Sequence, residues 1–382
     1  MKNKYCKYSV IIGILIIIGA ISIEMHEIML KYGCGDFPSH IAGARDLTVK
    51  NYSLLTYIYR FLLTLIDNNQ IIVMFLSACV VLGVVITAYL IKEVVPDIDD
   101  AQAYIMAFCG YIMNPIFIPA LNPYRVFGVQ ASGQWHSPTL LVVKLFLSLS
   151  LYYYVKIHKR REIKDYIALA VTLALATGVK PNLTICFGAI WGIEALWYLF
   201  SKNENQHRKR FLSYLLVGVP SILILLLQYS IMYGTGASDD GGIAIMPFYC
   251  LRLRTVHPFM SIVQTLAFPL FVLVISWKRI QKSFIGRFIW GMTVIAYIQH
   301  LFLVETGICM QDGNWTWGTS ICNFGLLVIS MCFYYEYLKD TIKNKNTKSI
   351  VLCVVGGTLL LAHLIAGIVY IYNVFVSKNM FI

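Results

Sequence analysis

The sequence predicts an all-α fold in which residues 1–382 form a single polytopic transmembrane helical bundle. The first observation is the composition: of the 382 residues, 58% are hydrophobic and only 13% are charged. Soluble domains contain about a quarter charged residues, so this chain lacks the charge that would cover a soluble globule. The composition excludes an ordinary soluble enzyme, a disordered chain and a small disulfide-stabilised secreted module.

The second observation is a series of apolar runs of the length that crosses a bilayer, which is about 20 residues for a helix. Eleven such runs are present, and each predicts one membrane span. They cover residues 8–25, 71–92, 102–120, 138–155, 165–179, 182–200, 211–232, 257–276, 288–304, 318–335 and 350–373.

The third observation is the placement of the basic residues along the chain. When the N-terminus is put in the cytoplasm and the spans alternate, 21 of the 31 Lys and Arg residues fall on the cytoplasmic side. Cytoplasmic loops carry an excess of basic residues, so the sequence predicts a cytoplasmic N-terminus. The formal net charge of +12 then follows from membrane topology, and the predicted partners include membrane lipids but no nucleic acid.

In this orientation the first outer loop, residues 26–70, contains a candidate for acid–base chemistry. Pro38 in a first turn predicts a helix that starts at Asp36, which puts Asp36 and His40 on one face. A carboxylate beside an imidazole can accept a proton from a hydroxyl group. The alternative is that Asp36 only caps the helix. Farther along this loop, the amphipathic aromatic stretch 52–65 predicts a helix that lies in the membrane interface.

The late outer loop, residues 305–317, is rich in the residue types that hold sugars. Carboxylates and amides form hydrogen bonds with sugar hydroxyl groups, and indole rings stack on the apolar faces of sugars. The candidate binding residues of this loop are Glu305, Asp312, Asn314, Trp315 and Trp317. The alternative is a tight turn whose tryptophans belong to the aromatic belt at the membrane interface.

Lys180 lies at the outer tip of the hairpin between the fifth and sixth runs, at the start of a helix. A cation beside the free N–H groups of a helix N-terminus suits a phosphate. The alternative is a simple turn whose lysine extends to the interface. Three arginines of the outer connections are candidates for further anion contacts: Arg125, Arg252 and Arg254.

Trp135 and His136 precede the fourth run, and two interpretations of them are equally open. They form either one wall of a sugar pocket or part of the aromatic belt. Inside that run, Lys144 is expected to extend its ammonium group to the outer interface. Glu194, inside the sixth run, is a functional candidate because an acid within the membrane is costly, but the sequence does not indicate its partner.

Four stretches together resemble the GT-C class of integral-membrane glycosyltransferases, in its uncharacterised bacterial branch. They are Asp36-Phe37-Pro38-Ser39-His40, Trp135-His136-Ser137-Pro138-Thr139, Lys180-Pro181-Asn182, and Glu305-Thr306-Gly307 with Asp312-Gly313-Asn314-Trp315-Thr316-Trp317-Gly318. In that class an acid of the first outer loop is the catalytic base or orients the acceptor. The resemblance implies this role for Asp36.

The resemblance also implies the reaction: an inverting transfer of one sugar from a polyprenyl-phosphate donor to a lipid or polysaccharide acceptor. The multi-pass protein would act at the outer, extracytoplasmic face of a bacterial plasma membrane. Lys180 would hold the phosphate, helped by one of the three arginines, and Asp36, tuned by His40, would deprotonate the acceptor. No cofactor is predicted, and a divalent metal is left open. The alternatives are a polysaccharide repeat-unit polymerase or ligase and a lipid or polysaccharide transporter (a flippase).

Overall fold

The computed structural model describes residues 2–48, 51–122, 124–125, 128–129, 135–201, 207–233, 242–307 and 310–381. Within these ranges the chain forms helices and two short strands. The helices are α1 (Lys2–Tyr32), α2 (Phe37–Arg45), α3 (Leu54–Leu65), α4 (Gln70–Val94), α5 (Asp100–Ile112), α6 (Pro138–Arg160), α7 (Ile163–Val179), α8 (Asn182–Phe200), α9 (His207–Tyr233), α10 (Tyr249–Arg252), α11 (Pro258–Ile275), α12 (Trp277–Lys282), α13 (Phe284–Phe302), α14 (Thr316–Asn344) and α15 (Thr347–Ser377), and the strands are β1 (Ile243–Ile245) and β2 (Leu303–Glu305).

Eight helices in the described ranges are long and apolar enough to cross a membrane: α1, α4, α6, α8, α9, α11, α14 and α15. The other three predicted runs also contain helix, but α5 has only 13 residues and α7 only 17. Helix α13 has 19 residues and contains Arg287, Gln299 and His300, and it is not among these eight. The chain is therefore a helical membrane protein, and the count of eleven spans stays a prediction.

The connections between the long helices separate into two ends of the bundle. Two ion pairs tie the connection between α4 and α5 to neighbouring helix ends: Asp99 pairs with Lys7 of α1, and Asp97 pairs with Lys339 of α14. The sequence assigns all of these segments to the cytoplasm. We call this end the basic end; it comprises residues 92–100, 156–165, 277–287 and 335–349. The predicted outer connections meet at the other end, which we call the site end; its described residues are 33–48, 51–53, 114–122, 124–125, 128–129, 135–139, 177–184, 242–264, 299–307 and 310–319.

The orientation of these two ends is tested by cysteine labelling of intact cells. A membrane-impermeant maleimide is expected to label Asp312→Cys at the site end, because positive charge is retained in the cytoplasm. Lys343→Cys at the basic end should be labelled only after permeabilisation. The parent chain with its native cysteines gives the background. Labelling of Lys343→Cys in intact cells would reverse the predicted orientation.

The first outer loop begins later than predicted, because α1 continues to Tyr32 and includes residue 26. As predicted, a helix starts after Asp36 with a proline in its first turn. The predicted amphipathic stretch is also helical: α3 buries Leu55 and Tyr59 and exposes Phe61. Its location in the membrane interface stays a prediction.

The prediction of a continuous span over 102–120 is wrong. Helix α5 ends at Ile112, and the chain continues without helix through Asn114 and Ile116. Pro115 disfavours helical backbone at the residue before it. Non-helical backbone at membrane depth must find hydrogen-bond partners within the protein: the Asn114 N–H donates to the His363 carbonyl at 3.2 Å, and the Ile116 N–H donates to the Gln264 carbonyl at 3.3 Å.

The end of α5 packs directly on the backbone of α15 at Gly367. A Cβ atom at this position would overlap the carbonyl oxygen of Ile112. We therefore expect Gly367→Ala to destabilise the protein by at least the roughly 1–3 kcal/mol typical of overpacking. Thermal unfolding in detergent measures this. The matched control is Gly192→Ala in α8, where an added Cβ has no neighbour within 4 Å; an equal effect in both variants would contradict the packing argument.

Two strands interrupt the otherwise helical architecture. Strand β1 pairs with β2 in an antiparallel register that sets Ile243 opposite Glu305 and Ile245 opposite Leu303. This pairing is not predictable from the sequence, because three-residue strands give too short an alternation to recognise. The pairing fixes Glu305 at the start of the late outer loop.

Candidate functional site

A cavity of about 380 Å³ lies at the site end, and its lining has a polar part and an apolar part. Most of its polar lining comes from the connection between α7 and α8 and from the late outer loop. The lining residues of this kind are Lys180, Asn182, Glu305, Asn314, Trp315 and Trp317. The cavity thereby joins five of the residues that the sequence analysis proposed as substrate contacts.

The apolar wall of the cavity belongs to helices α8 and α9. It includes Leu226, Tyr229 and Met232 of α9 and Ile185 of α8. The side chains of Leu226 and Tyr229 are 61% and 62% exposed. This wall of the cavity therefore opens onto the exposed surface of a helix that is long and apolar enough to cross a membrane.

Lys180 follows the last residue of α7 and precedes α8, so its position is set by two helix ends. Its ammonium group lies 4.3 Å from the centroid of the Trp317 ring and donates a hydrogen bond to Thr139 Oγ1 at 3.3 Å. Burial lowers the pKa of Lys180 to about 8, and the carboxylate of Asp36 opposes this shift. The lysine is therefore protonated at neutral pH and loses its proton in mildly alkaline solution.

Asn314 connects the polar groups on the other side of the cavity. Its amide Nδ2 donates to Glu305 Oε2 at 2.6 Å, and its Oδ1 accepts from the indole N–H of Trp317 at 3.1 Å. The Asn182 amide donates to the Asn314 carbonyl at 3.2 Å. The indole nitrogen of Trp315 is buried without a hydrogen-bond partner among the described residues. A buried donor in a cavity wall is suited to an oxygen of a ligand.

Asp36 occupies the N-cap position of α2, but its side chain makes no capping hydrogen bond there. Its backbone N–H donates to the carbonyl of His136 at 2.9 Å. Gly33 and Gly35 have φ angles of +65° and +78°, so the turn before Asp36 uses conformations that favour glycine. The carboxylate does not line the cavity but interacts electrostatically with Lys180, which does.

His40 and His136 both interact electrostatically with Asp36 and Lys180. Burial lowers the pKa of His40, Lys180 lowers it further, and Asp36 opposes both. Burial also lowers the pKa of His136 to about 4. Its ring is 1% exposed and lies 6.0 Å from the ring of Trp317. Both imidazoles are therefore neutral at pH 7, and His136 supports the cavity from behind Trp317 rather than lining it.

Besides Asp36, His40 and His136, five more of the predicted site residues do not line the cavity: Trp135, Arg125, Arg252, Arg254 and Asp312. Trp135 is fully buried in the protein core. The Arg125 guanidinium lies over the Phe117 ring at 4.7 Å, and the Arg252 guanidinium lies 5.8 Å from the Phe248 ring.

Arg254 and Asp312 line a separate void of about 10 Å³. None of the three arginines therefore lines the cavity that contains Lys180.

Two intramembrane charges have contacts that the sequence could not indicate. Lys144 does not reach the interface: it is 1% exposed, and its ammonium group lies 5.3 Å from the Phe324 ring centroid. The expected extension of this side chain is wrong because α6 turns it towards α14. The carboxylate of Glu194 accepts a hydrogen bond from the Tyr154 hydroxyl at 2.7 Å, far from the cavity.

Sequence reasoning missed Gln228 and Tyr52, which also line the cavity. The Gln228 amide donates to the Thr177 carbonyl at 2.8 Å and to the Tyr52 carbonyl at 3.2 Å. These bonds connect α9 to α7 and to the segment that precedes α3. The sequence did contain a signal for Gln228: it is an amide within the apolar run 211–232, and a polar group at membrane depth is a functional candidate.

Among the described residues, no group of three or more His, Cys, Asp or Glu side chains is arranged to hold a metal ion. No protein-family model matches the chain, and no curated protein matches it significantly. Evidence for the function of the chain therefore comes from the geometry and chemistry of the cavity.

Proposed function

We propose that the chain is a membrane glycosyltransferase that moves a sugar from a polyprenyl-phosphate donor to a lipid or polysaccharide acceptor. The reaction would take place at the outer face of a bacterial plasma membrane. The observation that carries the proposal is the cavity, which combines a lysine, a carboxylate–amide–indole wall and a lipid-facing apolar wall. A polyprenyl-phosphate sugar has the three matching parts: an anionic phosphate, a hydroxyl-rich ring and a hydrocarbon tail.

In the proposed complex the phosphate lies beside Lys180 and the first isoprene units lie along Leu226 and Tyr229. Glu305 and Asn314 receive the sugar hydroxyl groups. An acceptor hydroxyl attacks the anomeric carbon, the new C–O bond forms, and the bond from that carbon to the phosphate oxygen breaks. Asp36 takes the hydroxyl proton, and polyprenyl phosphate leaves with its charge stabilised by Lys180. A single displacement of this kind inverts the anomeric centre.

The reaction is tested with purified protein in proteoliposomes. The substrates are farnesyl-phosphate-linked hexoses and pentoses with a radiolabelled sugar, offered with extracted membrane lipids and glycans. We expect time-dependent release of farnesyl phosphate together with label in the acceptor fraction, and neither product in protein-free vesicles. Release of free sugar with no labelled acceptor for any donor would contradict a transferase.

A transporter is a second candidate, and the burial of Lys144 favours it. Buried charges inside membrane helices mark substrate or ion pathways in many transporters. The same vesicles separate the two functions, since a transporter would move the donor across the bilayer with its sugar–phosphate bond intact. A polymerase or ligase that uses several arginines receives no support from the cavity lining.

The pH dependence of donor binding is a further expected result. Because burial lowers the pKa of Lys180 to about 8, affinity for polyprenyl phosphate should be retained below this pH and fall above it. A guanidinium titrates above about pH 12, so Lys180→Arg should keep its affinity through the alkaline range. Binding measured from about pH 6 to about pH 10 checks this; parallel profiles for the two proteins would contradict it.

A further inference from the structure

A second groove, of about 440 Å³, lies at the basic end between α7 and α9. Its rim is basic and contains Arg161, Lys209 and Arg210, while none of the described residues that line it is acidic. Its lining also has an apolar part, which includes Ile167 and Leu216. This groove belongs to the end of the bundle opposite the glycosyl-transfer cavity and has no part in the proposed function.

Two acidic residues of the described chain near this groove are engaged with other lysines. Asp165 is 1% exposed and faces the ammonium group of Lys156 at 3.5 Å, and Glu162 pairs with Lys164. Among the described residues, these two carboxylates thus pair with lysines outside the groove rather than with Arg161 or Lys209. Lys209 also lies in the first turn of α9, where the helix dipole adds to the attraction for an anion.

The groove changes from polar to apolar along the helix axis. Leu216 lies seven residues after Lys209 on α9, which is about 10 Å along a helix. The side chains of Ile167 and Leu216 are 60% and 69% exposed, as expected where a helix faces hydrocarbon. A charged rim about 10 Å from an exposed apolar wall has the layout of a phospholipid, whose phosphate lies above its acyl chains.

We propose that this groove binds the headgroup of an anionic glycerophospholipid from the leaflet at the basic end. The phosphate lies between Arg161 and Lys209, and an acyl chain packs along Ile167 and Leu216. Basic pockets between membrane helices bind anionic headgroups in this way, whereas a solvated basic surface would attract lipids without a defined stoichiometry.

The test is native mass spectrometry of the purified full chain in a neutral detergent. The probes are dioctanoyl phosphatidylglycerol, dioctanoyl phosphatidylcholine and inorganic phosphate. We expect one phosphatidylglycerol to bind in preference to phosphatidylcholine. Each basic residue near an anionic lipid contributes about fivefold in affinity, so Arg161→Gln/Lys209→Gln should weaken binding about 30-fold.

The matched control is Lys282→Gln/Lys343→Gln, which removes the same charge from exposed positions of the basic end outside this groove. Equal weakening in both double variants would overturn the proposal in favour of general surface charge. Displacement of the lipid by inorganic phosphate alone would overturn it in favour of a phosphate site.

Two further variants keep the proposal testable if the double glutamine variant does not fold. The charge-retaining variant Arg161→Lys/Lys209→Arg should bind within a few-fold of wild type. Leu216→Ser should weaken lipid binding, whereas Leu223→Ser, at an exposed position of α9 outside this groove, should not. Failure of the Leu216 variant to differ from the Leu223 variant would overturn the proposed acyl-chain contact.

Discussion

Replacing Asp36 by asparagine is expected to lower sugar transfer by roughly 10²–10⁴-fold, the contribution of general-base catalysis. Asparagine has the same shape as aspartate and caps helices about as well, so the fold of α2 should be retained. The Asp36 side chain makes no capping hydrogen bond, which removes the structural reason for a large loss. The measurement is the rate of farnesyl-phosphate release by protein of matched thermal stability.

Donor affinity distinguishes two ways in which Asp36 could act. If it is the base, Asp36→Asn should bind polyprenyl phosphate normally and fail in turnover. If it only keeps Lys180 protonated, the variant should lose affinity, and the loss should grow as the pH rises. The control is Asp67→Asn, since Asp67 is 79% exposed in its ion pair with Arg45, and exposed pairs contribute little. Near-normal turnover in Asp36→Asn would transfer the base role to Glu305.

Replacing Lys180 by glutamine is expected to weaken donor binding by about 10–100-fold and to slow transfer as well. Hydrogen bonds to charged groups contribute about 1.5–3 kcal/mol, and glutamine lacks the charge that stabilises the leaving phosphate. Lys180→Arg should keep most of both activities, because a guanidinium also pairs with phosphate. A lysine that only extends to the interface would instead tolerate glutamine.

The control for this variant is Lys378→Gln. Lys378 carries the same charge, pairs with Glu24 at 3.5 Å and lies outside the cavity lining. Its replacement should leave donor affinity unchanged. A similar loss in both glutamine variants would indicate a general electrostatic effect on an anionic lipid rather than a bound phosphate.

The helical membrane fold was predictable because its signals are local. Spanning apolar runs and the bias of basic residues are readable one segment at a time, and every predicted run contains helix. The exceptions depend on tertiary contacts. The end of α5 at Ile112 is stabilised by hydrogen bonds from Asn114 and Ile116 to distant helices, and the extension of α1 to Tyr32 leaves only a short turn before α2.

The candidate site was predictable in part, since Lys180, Glu305 and the late-loop tryptophans were recognised from their residue types and from where they lie in the predicted loops. That they line one cavity depends on contacts between residues far apart in the sequence, such as the Asn182–Asn314 hydrogen bond, and such contacts cannot be read from the sequence. The three arginines do not line this cavity, because their positions depend on the path of the outer loops, which the sequence does not indicate. The lipid-facing wall of α9 gave no signal, as its residues resemble those of any span.

Photo-crosslinking tests most directly whether the cavity holds a lipid-linked phosphate. A polyprenyl phosphate with a diazirine on its first isoprene unit is irradiated with the purified protein, and the modified peptides are identified by mass spectrometry. We expect modification at residues 225–232 of α9 and 182–185 of α8, competed by unlabelled polyprenyl-phosphate sugar and reduced in Lys180→Gln. Modification confined to the α7–α9 groove at the basic end, or unaffected by the competitor, would contradict the proposed site.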